Sequence, residues 1–302
     1  MSAFNDLTGN SGLNAWSIGR ARFEIAKMRL VAPSSKPIIS AANLINPDIV
    51  FVSDPFRIVV QDSTYIFAEA WSLSAQRGQI AVFQMKNRDQ VVASGIVLAE
   101  PFHLSYPCVF KHQGYYYMLP EAWENGQLVL YKAEMFPWVW RPENVLLELD
   151  YADPQIFFYH DCWYIFLNTD PLRNATASVF WSDSLRTNWR AHPQNPIFHG
   201  DSLRARSAGP FIRHRERIVR FSQDCRQQYG QSVFASEIVE LSPTTIRMKS
   251  LGEVGLDRPD WAQGGFHHVD VFLENGVHHA LFDGYSPALE PQPQQIGTEF
   301  QR

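Results

Sequence analysis

Carboxylic and imidazole side chains recur in this chain at a fixed interval. Residues fifteen positions apart form the pairs Asp54 and Glu69, Tyr106 and Glu121, Asp153 and Asn168, Gly209 and Asp224, and His268 and Asp283. Six of these ten residues are carboxylic acids. Carboxyl groups gathered in one place repel one another, so some hold a proton near neutral pH and others keep a cationic partner. That combination serves general acid–base chemistry and the recognition of hydroxyl-rich ligands. His103, Arg204, Arg206, His267 and His268 are the nearby bases, and Trp71 and Trp123 each stand two residues after a Glu of the set.

Each pair brackets a stretch with the pattern of a β-hairpin. Asp54-PFRIVVQDSTYIFA-Glu69 shows it well: an apolar-rich run, a polar turn, then a second run rich in aromatic and branched residues. Turns are expected at Gln61-Asp62-Ser63, Gln113-Gly114 and Asn275-Gly276. Pro follows the opening residue in four of the five segments, where a strand's first N–H is not needed by the ladder. The openings lie 52, 47, 56 and 59 residues apart. Further strands are expected at Gln79–Met85, Gln127–Ala133 and Ser178–Ser182, and short helical turns near Glu134–Phe136 and Asp183–Asn188.

A hairpin plus outer strands at this period indicates propeller blades. The expected fold is all-β, a five-bladed β-propeller forming one domain over 1–302. Its blades start near 54, 106, 153, 209 and 268. Within 1–50, Ala15–Ile25 alternates like a strand and is expected to complete the last blade and close the ring, which otherwise leaves sheet edges unpaired. Residues 288–302, rich in Pro and Gln, are expected to be an extended tail. In such a ring the fifteen-residue interval returns each pair to one rim, so the polar residues converge on a central mouth.

Composition narrows the partners. The net charge is −5, the sequence pI is about 6.1, and no basic stripe stands out, which argues against nucleic acid. No run of apolar residues is long enough to span a bilayer, and the first residues lack a basic-then-apolar leader. The three cysteines, Cys108, Cys162 and Cys225, have no metal-ligand spacing and read as free thiols, so the cytoplasm is the expected location. No phosphate-binding glycine loop or dinucleotide fingerprint occurs, and no cofactor or metal is expected.

Asp54-Pro55, Asp153-Pro154 and Trp189-Arg-Ala-His-Pro-Gln-Asn-Pro-Ile197 resemble the five-bladed propeller glycosidases of family 43. A closer resemblance is to the N-terminal propeller module of plant glucosamine inositolphosphorylceramide transferases and of bacterial polysaccharide-cluster proteins. It rests on His103-Leu-Ser-Tyr-Pro107, Tyr117-Met-Leu-Pro-Glu121, Arg206-Ser-Ala-Gly209, Ser222-Gln-Asp-Cys225 with Tyr229-Gly230, and Gly264-Gly-Phe-His-His268. It covers roughly residues 45 to 285. The family 43 likeness implies Asp54 as general base and Asp153 as the group that tunes the acid. The acid itself, a Glu before Gly-Pro, is missing, because that position is Ala208. Glycoside hydrolysis uses two carboxyl groups. Glu121 is the first substitute, Glu69 the second, and His267 or His268 a further donor. The expected site is therefore Asp54, Glu121 and Asp153 as catalytic groups. Glu69, Trp71, His103, Tyr106, Trp123, Asn168, Arg206, Gln223, Asp224, His267, His268 and Asp283 complete it as substrate contacts. The expected function is action on a glycosidic or sugar-phosphate linkage of a carbohydrate or glycoconjugate. The alternatives are a non-catalytic glycan-binding propeller beside a partner glycosyltransferase, and a protein-interaction propeller.

Overall fold

The structure is a computed structural model and describes residues 15–286. Two strands come first, β1 (Ser17–Glu24) and β2 (Arg29–Val31). The first four-stranded blade is β3 (Ile49–Val60), β4 (Ser63–Ser72), β5 (Arg77–Lys86) and β6 (Gln90–Leu98). The second is β7 (Ser105–His112), β8 (Tyr115–Glu121), β9 (Gln127–Met135) and β10 (Val139–Glu148). The third is β11 (Ala152–Tyr159), β12 (Cys162–Asn168), β13 (Ala177–Ser182) and β14 (Arg190–Ala191). The fourth is β15 (Ile212–His214), β16 (Arg217–Asp224), β17 (Ser232–Leu241) and β18 (Ile246–Glu253). β19 (Gly255–Leu256), β20 (Val269–Glu274) and β21 (Val277–Gly284) join β1 and β2 in the fifth sheet, ordered β19-β2-β1-β21-β20.

The chain is thus an all-β, five-bladed propeller. The N-terminal strand closes the ring as the alternation at Ala15–Ile25 indicates: β1 lies antiparallel to β21, with Ile18 opposite Asp283. The three outer strands expected from sequence are β5, β9 and β13. Among the described residues there is no α-helix; short 3-10 turns occur at Ala41–Asn43, Trp123–Asn125 and Asp260–Ala262 rather than at the two places expected. The expected tail, 288–302, and the first fourteen residues lie outside the described residues.

Aromatic and aliphatic side chains between blades form the core. Phe67, Leu104, Tyr117, Leu119 and Leu130 are fully buried in a cluster that runs from the first blade to the third. Phe23 and Leu30 of the closing strands join Phe221, Val233 and Phe282 between the fourth and fifth. Each such side chain contributes about 1.5–3 kcal/mol by leaving water, so ring closure is driven by packing as well as by pairing.

The openings of the blades have a feature that hydrophobic patterning does not show. Asp54, Tyr106 and Asp153 take left-handed backbone angles, with φ of 53°, 46° and 46°, and Gly209 has φ of 115°. In the first three blades a bulge follows, and the register slips there. The residue at the far end of the interval therefore pairs with the residue before the opener: Ser53 with Glu69, Ser105 with Glu121, Ala152 with Asn168. Bulges re-aim side chains at sites. Each left-handed non-glycine residue costs on the order of 1 kcal/mol or more, which the surrounding packing offsets. At the fourth blade only glycine fits, because a Cβ on Gly209 would sit 2.2 Å from the Val269 carbonyl oxygen.

Candidate active site at the propeller mouth

The rim carrying the openers surrounds a pocket of about 530 Å³, within the size range of small-ligand sites. Its polar wall includes Ser53, Asp54, Glu69, His103, Ser105, Glu121, Arg206 and His267, with Asn174 from the third blade. One side is aromatic. Trp16 lies 4.6 Å from Tyr285 and Phe51 stacks on Trp71 at 5.7 Å, ring centre to ring centre. All four line the pocket. Such faces pack against the apolar C–H surfaces of a ligand while the opposite wall meets its polar edges.

At the polar wall, Glu121 Oε2 accepts the backbone N–H of Asp153 at 2.9 Å. Arg206 donates from Nε to Asp153 Oδ2 at 2.6 Å, from Nη1 to Asn174 at 2.8 Å and from Nη2 towards Glu121 Oε2 at 3.4 Å. Gln223 adds a donor to Asp153 Oδ2 at 2.7 Å. Burial disfavours charge on Asp153, yet Arg206 and the neighbouring hydrogen bonds hold its pKa below the usual value. Burial and then the Asp153 charge push Glu121 well above the carboxylate range. The two carboxyls thus share one charge under a guanidinium clamp.

A second pair of acids stands across the mouth. Ser53 Oγ donates to Glu69 Oε2 at 2.8 Å. Burial, then the neighbouring Asp54, raise Glu69 to about 8. His103 Nδ1 accepts the Gly78 N–H at 2.9 Å, which places the proton of the neutral ring on Nε2, 3.8 Å from Glu69 Oε1. Burial and the charge of Arg206 lower His103 to about 4, so it stays neutral.

Asp283 organises the floor. Its Oδ1 accepts the N–H groups of His267 and His268 at 2.9 and 3.0 Å, and its Oδ2 accepts the Asp54 N–H at 3.2 Å. The same Oδ2 lies 2.7 Å from His267 Nδ1. Burial opposes charge on His267, but Asp283 and Asp54 outweigh it and raise the imidazole to about 9. Asp54 Oδ1 has no hydrogen-bond partner and lies 3.8 Å from His267 Nε2 and 3.4 Å from His268 Nδ1. Asp54, His267 and Asp283 present ligand atoms within 4.8 Å of one another, a set that could hold a metal ion.

Asp54, Glu69, Trp71, His103, Glu121, Arg206 and His267, all expected from sequence, therefore meet in one pocket. Asp153, Tyr106, Gln223, His268 and Asp283 stand behind its wall. Tyr106 crosses to the fourth blade, where its hydroxyl accepts the Gly209 N–H at 2.7 Å and lies 3.1 Å from the Gly209 carbonyl. Three expected contacts point elsewhere. Asp224 pairs with Arg226 at 2.8 Å, Asn168 accepts the Asp170 N–H at 2.9 Å, and Trp123 begins a 3-10 turn outside the wall. Trp16, Phe51, Asn174, Gln227, Gln228, Tyr229 and Tyr285 line the pocket without having been expected. Only the Tyr229-Gly230 motif drew notice to one of them, since the rest fall outside the repeated hairpin.

Among solved structures, the catalytic domain of a Coprinopsis cinerea GH62 α-L-arabinofuranosidase shares the fold. It has a TM-score of 0.64 and 11% identity, with 93% of each chain covered. Sequence relatives are nearer. "Glucosamine inositolphosphorylceramide transferase 1" of Arabidopsis thaliana is 32% identical over 266 residues, 83% of this chain and 35% of the relative. The Oryza sativa subsp. japonica protein of the same name is 34% identical over 247 residues, 78% of this chain and 33% of the relative. The chain spans about a third of the length of these curated relatives. No helix among the described residues is long and apolar enough to cross a membrane. The family model described as glucosamine inositolphosphorylceramide transferase 1, N-terminal, matches residues 8–285, and the chain belongs to that family.

Proposed function

We propose that the propeller mouth binds a sugar unit of a glycan or glycoconjugate and acts on its glycosidic or sugar-phosphate linkage. Glu121 is the proton donor and Asp54 the base or nucleophile. The observation that carries this reading is the contact of Glu121 with Asp153: burial, and then the carboxylate beside it, favour the protonated form of a pocket-facing carboxyl. Paired carboxyls with separated pKa values are the means by which one site runs acid and base chemistry at neutral pH. Asp153 then tunes Glu121, which takes over from the residue replaced by Ala208. Arg206 fixes the pair and has one Nη1 N–H left for a ligand oxygen.

A second reading has its own support. The chain matches one third of relatives named as transferases, and Ala208 leaves the usual acid position empty. On that reading the mouth recognises a glycan for a partner glycosyltransferase. Substituting Asp54→Asn and Glu121→Gln separates the two. Loss of turnover with retained oligosaccharide binding supports catalysis. Wild-type protein that binds an oligosaccharide but turns over no glycan, glycosyl phosphate or aryl glycoside supports the recognition module.

A further inference from the structure

The inner hairpins turn at the face opposite the mouth. There the fourth and fifth blades border a second cavity, open to solvent, of about 470 Å³. Its position follows from register: His214 pairs with Arg217 across one turn and Glu274 with Val277 across the other, whereas Ser207–Ser222 and His267–Asp283 lie at the mouth end. The charged residues lining it, Arg213 and Arg215, are of one sign. Arg213, His214, Arg215 and His278 supply the polar groups, and no Asp or Glu is among the lining residues. Ile212, Val271 and Leu273 provide an apolar floor, while the Phe272 ring turns to the other side of its strand under Arg57. This is a notable concentration in a chain of net charge −5.

The imidazoles are placed for a ligand. The rings of His214 and His278 stand 4.9 Å apart at 70°, each from a different blade. Neither makes a hydrogen bond among the described residues, and burial together with His214 lowers the pKa of His278. Arg213 is anchored, with Nη2 donating to the Phe158 carbonyl at 2.7 Å and the guanidinium over Phe157 at 4.8 Å. Arg215, at the exposed turn, has φ of 56°. On the other wall, Glu274 is engaged by Arg20 and Arg88 at 2.6 and 2.9 Å. Glu216 adjoins Arg215 in the turn but does not line the cavity.

We infer that this cavity is a second ligand site, separate from the mouth, that takes a phosphate monoester bearing an apolar group. Arg215 and the two imidazoles meet the phosphate, and Leu273, Val271 and Ile212 meet the apolar part. A phosphate brings the acceptors that this wall lacks, and charge-assisted hydrogen bonds are the stronger kind. The apolar floor distinguishes such a ligand from a free inorganic anion.

Titration of the full chain with phenyl phosphate, inorganic phosphate and phenol, followed by NMR of the histidine ring protons, tests this. Saturable shifts of His214 and His278 are expected with phenyl phosphate. Inorganic phosphate should bind more weakly and phenol more weakly still. Arg215→Glu at the exposed turn and His278→Ala at the half-buried ring should each weaken phenyl phosphate by about tenfold or more. Asp54→Asn at the mouth should leave it unchanged. The inference is overturned by absence of saturable binding at low-millimolar phenyl phosphate. Equal binding of phenol, or affinity indifferent to both Arg215→Glu and His278→Ala, also overturns it. None of these outcomes bears on whether the mouth binds sugar, so the two claims fail separately.

Discussion

Glu121 and Asp153 meet through the Asp153 N–H, which donates to Glu121 Oε2 at 2.9 Å, while Arg206 spans both carboxyls. Two blades thus build one acid–base unit, and the fourth supplies the cation that keeps it together.

Glu121→Gln removes the proposed proton donor but keeps the shape and the acceptor for the Asp153 N–H. Turnover of unactivated glycosides should fall by about 10²–10⁴-fold. Glycosides with a good leaving group, such as dinitrophenyl, need little protonation and should lose much less. Steady-state kinetics on both substrate types reads the difference.

Asp153→Asn acts differently. Arg206 would remain buried with its ionised partner gone, and breaking a buried pair from one side costs about 3–5 kcal/mol. The variant should unfold at markedly lower denaturant. Glu121, freed from the neighbouring charge, should titrate lower, which carboxyl-resolved NMR measures.

Stability should decline from mildly acidic to alkaline pH. Glu69 is raised from 4.5 to about 8, so the folded state holds a proton that the unfolded state releases, and stability is lost as pH rises between those values. His267 is raised from 6.5 to about 9, so its contribution is complete below 6.5 and lost through 9. That rise corresponds to roughly 3 kcal/mol. Asp153 and Asp283, held low, weaken the fold only at acid pH. Denaturant midpoints should be higher at pH 5 than at pH 9, and His267→Gln should flatten the upper part of the curve.

Gly209→Ala should be among the most damaging single changes. Its Cβ would meet the Val269 carbonyl, and φ of 115° is strained for any side chain. The Tyr106 hydroxyl would lose its seat on the Gly209 backbone. A loss of more than about 3 kcal/mol is expected from such combined effects, read by chemical denaturation.

Much of this was legible in the sequence, for stated reasons. The interval between Asp54 and Glu69 or Tyr106 and Glu121 reports hairpin length, and alternation in Ala15–Ile25 reports a half-buried strand. The rest depended on backbone angles and on loops. Nothing in the residue pattern marks Asp54, Tyr106 and Asp153 as left-handed, so the one-residue slip in register stayed hidden. Asp283 was expected as a substrate contact, yet its acceptors are taken by three backbone N–H groups and His267. The aromatic side came from Trp16, Phe51 and Tyr285, which the repeat does not align, and Asn174 and Tyr229 came from loops between strands.

The most direct test of a sugar site at the mouth is a crystal structure of the Glu121→Gln variant soaked with an oligosaccharide selected from a glycan-binding panel. The account predicts a sugar ring against Trp16 and Trp71, with oxygens near Asp54, residue 121 and Arg206. A panel in which no saccharide binds, or a sugar bound away from these residues, would contradict it.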